Sequence, residues 1–551
     1  MLYFNGFLSY INLKGKHMKK SLIMLSAIAA FSVTSFASDM NKEMLNQIQA
    51  LKVQIEALEK KVAEQEAQKP VVQQTVVDEK RIEKIEKKLD TVSKTATSAK
   101  IQSGNDNLKW DVDFRTQVDN VQYKHADGSK SKNNALMTNR LWLGMGYKAD
   151  DNSSFHGKLS YNKAFGDTAD HSQSNVNPGY ADFDWVTNEN ATDNTIKLKE
   201  AYWLYSNNTF LGTDVPWNAS VGRRPSTDGL PINIRNDQKA NSPLSHVVDV
   251  EFDGFSVRFD TELTTGLRGS WFKICGGRGL TNAIPRFDTD PTNSAIAYAE
   301  DEDLNVDVDL LGIIAVPYDD GQYSIYTNYA KAWNLIGYTD NQISGIDPIS
   351  FEDVGDMDYA TILFKTEGIG SGISDYLDDT IAFASFAMSK TNPNALEMLG
   401  SPDSEIGTSV WLGVNAPCPI SPDDSRIGFE WNQGSKYWRS MTYGEDTYAG
   451  SKIATRGQAW EVYRNQKLTD SLSFGVSYVL MQYDYTGSNS FFGAEGRPQN
   501  VNSVTGAVTE DQDIRAYMRY RFSYKINKRS SSFYAFLFKR VFIKFIYHFF
   551  C

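Results

Sequence analysis

Residues 513–522 read DIRAYMRYRF, and this stretch limits the fold more than any other. Successive side chains of an extended chain point to opposite faces. Ile514, Ala516, Met518, Tyr520 and Phe522 therefore share one face, and Arg515, Tyr517, Arg519 and Arg521 share the other. An edge strand of a soluble β protein would also alternate. Three arginines opposite a row of apolar and aromatic side chains suit a strand that separates lipid from a wet lumen.

The same period of two begins at Leu108. Leu108, Trp110, Val112 and Phe114 alternate with Lys109, Asp111, Asp113 and Arg115. It returns in Leu141, Leu143, Met145 and Tyr147, and again in Leu472, Phe474, Val476, Tyr478 and Leu480. Segments of this kind between 108 and 524 predict an all-β fold, a transmembrane antiparallel barrel of about sixteen strands over residues 105–526. Long connections such as 167–195, 225–245, 276–304 and 486–511 alternate with short ones such as 149–153, 318–321 and 468–470. Long external loops and short periplasmic turns give that alternation, and it puts both ends of the barrel on the periplasmic side. Asp253-Gly254 is a hairpin signal. Splitting 246–260 there would invert the alternation downstream, so the pair is expected to be a bulge within one strand.

Ahead of the barrel the period changes. Lys19-Lys20, an apolar run 22–36 and Ser35-Phe36-Ala37 form a signal peptide over 18–37, with cleavage expected before Ser38. Residues 1–17 are read as a mis-assigned upstream extension. Met44, Ile48, Leu51, Ile55, Leu58 and Val62 recur at heptad spacing, which predicts a coiled coil over 38–66 and a homo-oligomer, with a trimer favoured for a barrel. Ile55→Lys would put a charge into that seam and should reduce the native oligomer size in sedimentation; an unchanged size would make this segment a monomeric spacer. Pro70 ends the helix. Residues 67–104 form a linker with a short second helix, and 527–551 an atypical basic, Phe-rich extension.

Charge is uneven. The net charge is −12, while segments 1–38, 39–104 and 527–551 carry +4, +1 and +5, which leaves −22 on residues 105–526. Such a body repels nucleic acid and enriches cations at its mouths. A mean hydropathy of −0.43 argues against a bundle of membrane helices. The 28 Tyr, 30 Phe and 11 Trp are enough for interface girdles. Only three cysteines occur, without metal spacing. No HExxH, GxSxG, GxxxxGK[ST] or GxGxxG motif is present, so neither an enzyme, a cofactor nor a metal site is expected. Residues 301–307 resemble a calcium loop but lack its Gly at position six and Glu at position twelve.

Inward parity selects Lys109, Asp111, Asp113, Arg115, His156, Lys158, Arg515, Arg519 and Arg521 as pore-lining. The third long loop, 225–245, follows Gly222-Arg223-Arg224 and carries Asp228, Arg235 and Asp237. If it folds inward, Arg223, Arg224, Asp228, Arg235 and Asp237 form a constriction of opposed charges.

The stretches DNLKWDVDFR (106–115), NRLWLGMGYK (139–148), KLSYNKAFGD (158–167), KEAYW (199–203) and GRRPSTDGLPIN (222–233) resemble a porin-like outer-membrane family of unknown function from epsilonproteobacteria. The resemblance covers roughly 105–525 and implies a barrel in the outer membrane, in contact with its lipid and lipopolysaccharide. The expected function is a water-filled channel for small hydrophilic solutes or ions. The alternative is a structural or adhesive surface protein that reaches the cell wall through its periplasmic coiled coil.

Overall fold

The computed structural model describes residues 108–165, 196–281, 307–370 and 372–523. The expected signal peptide, coiled coil and second helix, and the C-terminal extension, lie outside these residues. The first eight strands are β1 (Leu108–His125), β2 (Lys130–Lys148), β3 (Ser153–Ala164), β4 (Ile196–Asn207), β5 (Trp217–Arg224), β6 (Phe252–Asp260), β7 (Trp271–Thr281) and β8 (Asp307–Asp319). The rest are β9 (Tyr323–Gly337), β10 (Glu352–Glu367), β11 (Ile381–Pro393), β12 (Ile406–Pro417), β13 (Ser425–Gly434), β14 (Gly457–Lys467), β15 (Leu472–Tyr483) and β16 (Val508–Ser523). They form one closed antiparallel barrel in which each strand pairs with its chain neighbours and β16 pairs with β1. Closure removes every free sheet edge, which a strand exposed to lipid could not tolerate.

The expected alternation of faces is present in β16. Ile514, Tyr520 and Phe522 are exposed outward, while Arg515 and Arg519 are buried inside. The seam places Arg519 opposite Arg115, Arg521 opposite Asp113 and Arg515 opposite Asp119. Around the outside, Trp110, Phe114, Phe155, Trp203, Phe255, Ile313, Phe386, Leu412 and Phe429 are among many exposed apolar side chains. At the short-turn end Phe210 meets Trp217 and Phe259 edge-on, and Phe259 stacks on Phe272 5.2 Å away. Aromatic girdles of this kind sit at a membrane interface.

Two expectations need correction. Strand β6 begins at Phe252, so 246–251 belongs to the preceding loop. Asp253-Gly254 is neither turn nor bulge: Asp253 pairs in register with Arg223 and Arg278, and Gly254 with Gly222 and Gly277. Glycine is needed there because three backbones meet closely; a Cβ on Gly254 would stand 2.0 Å from the Gly276 carbonyl oxygen. The real bulge nearby is in β4. Lys158 pairs with Glu200 and Leu159 with Leu198, which leaves Lys199 as the extra residue. Lys199 and Glu200 are both buried as a result.

The interior is not uniformly wet. Inward-facing Val308, Leu310, Ala330, Ala332, Met357, Tyr359 and Ala387 on β8–β11 are apolar and buried. Val247, Val248 and Val250 of the β5–β6 loop cover them, with Trp438 and Met441 of the β13–β14 loop and Phe491 and Phe492 of the β15–β16 loop. This half of the long-loop end is a packed apolar core. The charged half lies against β13–β16, β1 and β2.

Candidate functional site

Two loops fold into the barrel and meet. The β5–β6 loop, 225–251, is pinned at its root by the bulged Lys199, whose Nζ donates to Thr227 Oγ1 at 2.8 Å and pairs with Glu251 at 2.5 Å. The Asp228 amide donates to Asp249 at 2.8 Å, closing the two ends of the loop on each other. The β13–β14 loop, 435–456, joins it through a parallel bridge between Val248 and Met441. In that bridge the Asp249 amide donates to the Met441 carbonyl at 2.7 Å.

His246 anchors the β5–β6 loop to the opposite wall. Its ring nitrogens bond Ser385 at 2.7 Å and Ser409 at 2.9 Å, between the edges of Trp411 and Trp438. Full burial pushes the imidazole down to about 3. A histidine that is neutral when docked and protonated when released favours the docked loop fully above about pH 6.5, and progressively less as pH falls below it. His246 should therefore speed proteolysis of the loop between pH 7 and pH 5, while Asp249, whose pKa burial pushes well up, acts in the opposite direction. His246→Gln, which can still bond both serines, should flatten that response; an equally steep response in the variant would remove His246 as its source.

Arg235 enters the interior at the turn 232–235. Its guanidinium meets Glu461 at 2.8 Å, Glu445 at 3.1 Å and Glu430 at 3.4 Å. Lys452 shares two of these acids, at 2.5 Å from Glu430 and 2.6 Å from Glu461. Burial alone would lower the Arg235 pKa, but the three glutamates raise it well above its usual value. Across from this group Asp446 receives Arg115 at 2.5 Å, Arg140 at 2.8 Å and Arg515 at 3.6 Å. Burial would raise the Asp446 pKa, and the three arginines hold it well below the carboxylate range.

Between the two groups is a throat of about 40 Å³, lined by Arg115, Arg235, Glu445, Asp446, Glu461, Asp513, Arg515 and Arg519 among others. That is room for about three waters. Its walls share Asn465, Tyr517 and Arg519 with a vestibule of about 1310 Å³ at the short-turn end. Tyr517 and Tyr463 lie over glycines of the next strand: a Cβ on Gly475 would be 2.2 Å from the Tyr517 ring, and one on Gly428 2.0 Å from that of Tyr463. Larger residues there would push both rings into the lumen.

The residues singled out from sequence fall in different places. Asp113 accepts from Arg519 Nε at 2.8 Å, and Arg115 holds Asp446. Arg521 pairs with Asp237 beside the vestibule. Lys109 and Asp111 share the inward parity but are exposed at the short-turn end. Lys158 pairs with Glu200, and His156 stacks on Tyr202 at 5.1 Å. Of the proposed constriction, Arg235 reaches the throat. Asp228 is buried at the loop root and accepts from Asn236 at 2.9 Å. Arg224 faces inward over the Tyr202 ring, away from the throat lining. Arg223 is on the outer side of the wall, 3.6 Å from Asp253. Without a bulge consecutive strand residues face opposite sides, and β5 pairs in unbroken register, so Arg223 and Arg224 do not act together. The sequence reading missed Arg140, Glu430, Glu445, Asp446, Lys452 and Glu461. Cys275 and Cys418 are both free thiols.

The fold is a closed sixteen-stranded antiparallel β-barrel with an apolar exterior and inward loops around a charged throat. The chain belongs to the family described as "Protein of unknown function (DUF3373)", which matches residues 130–522. Among solved structures it is similar to Salmonella typhi OmpF in complex with daunomycin, at 11% identity and a TM-score of 0.39, covering 76% of this chain and 99% of that one. It is also similar to the high-pH structure of Pseudomonas putida OprB, at 10% identity and a TM-score of 0.43, covering 77% and 96%. For in-vitro folded OmpT, an outer membrane protein of Vibrio cholerae, the values are 11%, 0.39, 75% and 97%. No curated protein matches the chain.

Proposed function

We propose that the protein is an outer-membrane, porin-like channel whose path is confined to the charged throat, and that it passes ions and the smallest hydrophilic solutes. The observation that carries this reading is the water-sized throat of opposed charges that shares its wall with a wide vestibule inside an apolar-belted barrel. Buried charges of both signs that border water are the lining a selective pore needs. The short-turn end and both ends of the barrel then face the periplasm, with lipid and lipopolysaccharide around the belt. Homo-oligomerisation and cell-wall contact through residues 38–66 belong to the same proposal.

The packed apolar half of the interior favours a second reading, a closed barrel with a structural or adhesive role. Single-channel recording of the refolded protein separates the two. Discrete small steps support the channel; a flat trace from folded, inserted protein leaves the structural reading.

A further inference from the structure

We propose that Arg224 and the return arm of the β5–β6 loop form a binding site for a small anion of halide size. Arg224 is the last residue of β5 and faces inward. Among the described residues no carboxylate pairs with it, and its Nε is buried without a hydrogen-bond partner. Its visible contact is the Tyr202 ring, 5.9 Å from the guanidinium carbon. Arg224 is half-buried, and the part of a guanidinium that loses its hydration without an anion to replace it is costly.

Beside it is a cavity of about 10 Å³, lined by Arg224, Ser226, Ser242, Gly254 and Cys275 among others. That volume takes roughly one water-sized particle, hence a monatomic anion or nothing larger. The lining supplies two donors, the Arg224 guanidinium and the hydroxyl of Ser242. Ser226 Oγ already donates to the Val250 carbonyl, while Ser242 Oγ accepts from Lys273 Nζ at 2.8 Å and keeps its own proton to give. Lys273 adds a second cation without a carboxylate partner among the described residues. Glu200 is taken by Lys158, and Asp260 by Arg258. Arg224 ends β5 just before the loop and Ser242 belongs to the loop's return arm, so one anion would join the two.

The site deepens the channel reading, since it would tie loop docking to salt, but its test does not depend on conduction. ³⁵Cl line broadening is measured on the full chain in a non-ionic detergent, with bromide as competitor. Wild type should show excess broadening that bromide displaces. Arg224→Gln should weaken the binding about tenfold or more, as loss of a charged hydrogen bond does. Ser242→Ala should weaken it less and serves if the arginine variant does not fold. No displaceable broadening in wild type overturns the proposal, and so does broadening that either folded variant leaves unchanged. Conduction without chloride binding would sink the site and spare the channel; chloride binding in a barrel that passes no current would do the reverse.

Discussion

Arg235→Ala should open the barrel. The guanidinium is buried among Glu430, Glu445 and Glu461, and its removal leaves those three acids with Lys452 as the remaining cation in ion-pair contact. Removing one partner of a buried charge group costs about 3–5 kcal/mol, because the other charges stay desolvated. The β5–β6 loop can avoid that cost by leaving the lumen, which hydrates all three acids. The expected result is a several-fold rise in single-channel conductance with stronger cation preference, while the heat-modifiable migration of a folded barrel persists. Arg235→Lys should fall between wild type and alanine, since lysine keeps the charge but loses the planar fork that reaches three acids. Wild-type conductance in a folded Arg235→Ala barrel would mean that this arginine does not hold the loop.

Asp446→Asn should act on the other side with the opposite selectivity. The change is nearly isosteric, yet it removes the one carboxylate shared by Arg115, Arg140 and Arg515. Two of the arginines have another acid within reach: Arg515 pairs with Asp119 at 2.7 Å, and Arg140 is 3.9 Å from Asp113. Arg115 has no second ion pair among the described residues. The cost should again be about 3–5 kcal/mol, spent on detaching the β13–β14 loop from β1, β2 and β16. The reversal potential across a salt gradient should move toward anions, and the more so at low salt, where screening is weak. Asp446 also separates two acid effects. Its pKa is depressed in the folded loop, so its contribution is present above the unfolded value near 4 and lost only as pH falls further. Loosening between pH 7 and pH 5 therefore belongs to His246 and not to Asp446.

The wall of this barrel was legible because its causes are local. Alternation in 108–115 and 513–522 follows from the geometry of one extended chain, and the seam follows from closing the ring. The parity of Arg224 with Ser220 and Gly222 was readable for the same reason. The interior filling was not. Arg235 could be named as a charge in an inward loop, but Glu430 and Glu461 stand 195 and 226 residues away from it, and no local pattern joins them. One signal was present and carried less weight than it should. Val308-Asp309-Leu310-Leu311 through Val316, and Ala330 with Ala332, place apolar residues on the inner as well as the outer face of β8 and β9. Strands apolar on both faces announce a dry interior on that side. The bulge at Lys199 was invisible, because one extra residue in a Lys-Leu-Lys-Glu run does not disturb the composition at all.

A barrel narrowed to a charged throat by two tethered loops has a definite size limit, and liposome swelling measures it. Proteoliposomes of the wild-type chain should swell in small salts and hardly at all in disaccharides. Those carrying Arg235→Ala together with Asp446→Asn should swell in both. Rapid disaccharide entry through the wild-type protein would contradict the account, because the loops would then not occupy the lumen; so would a folded double variant that still excludes disaccharides, because the ion pairs would then not be what holds the loops in place.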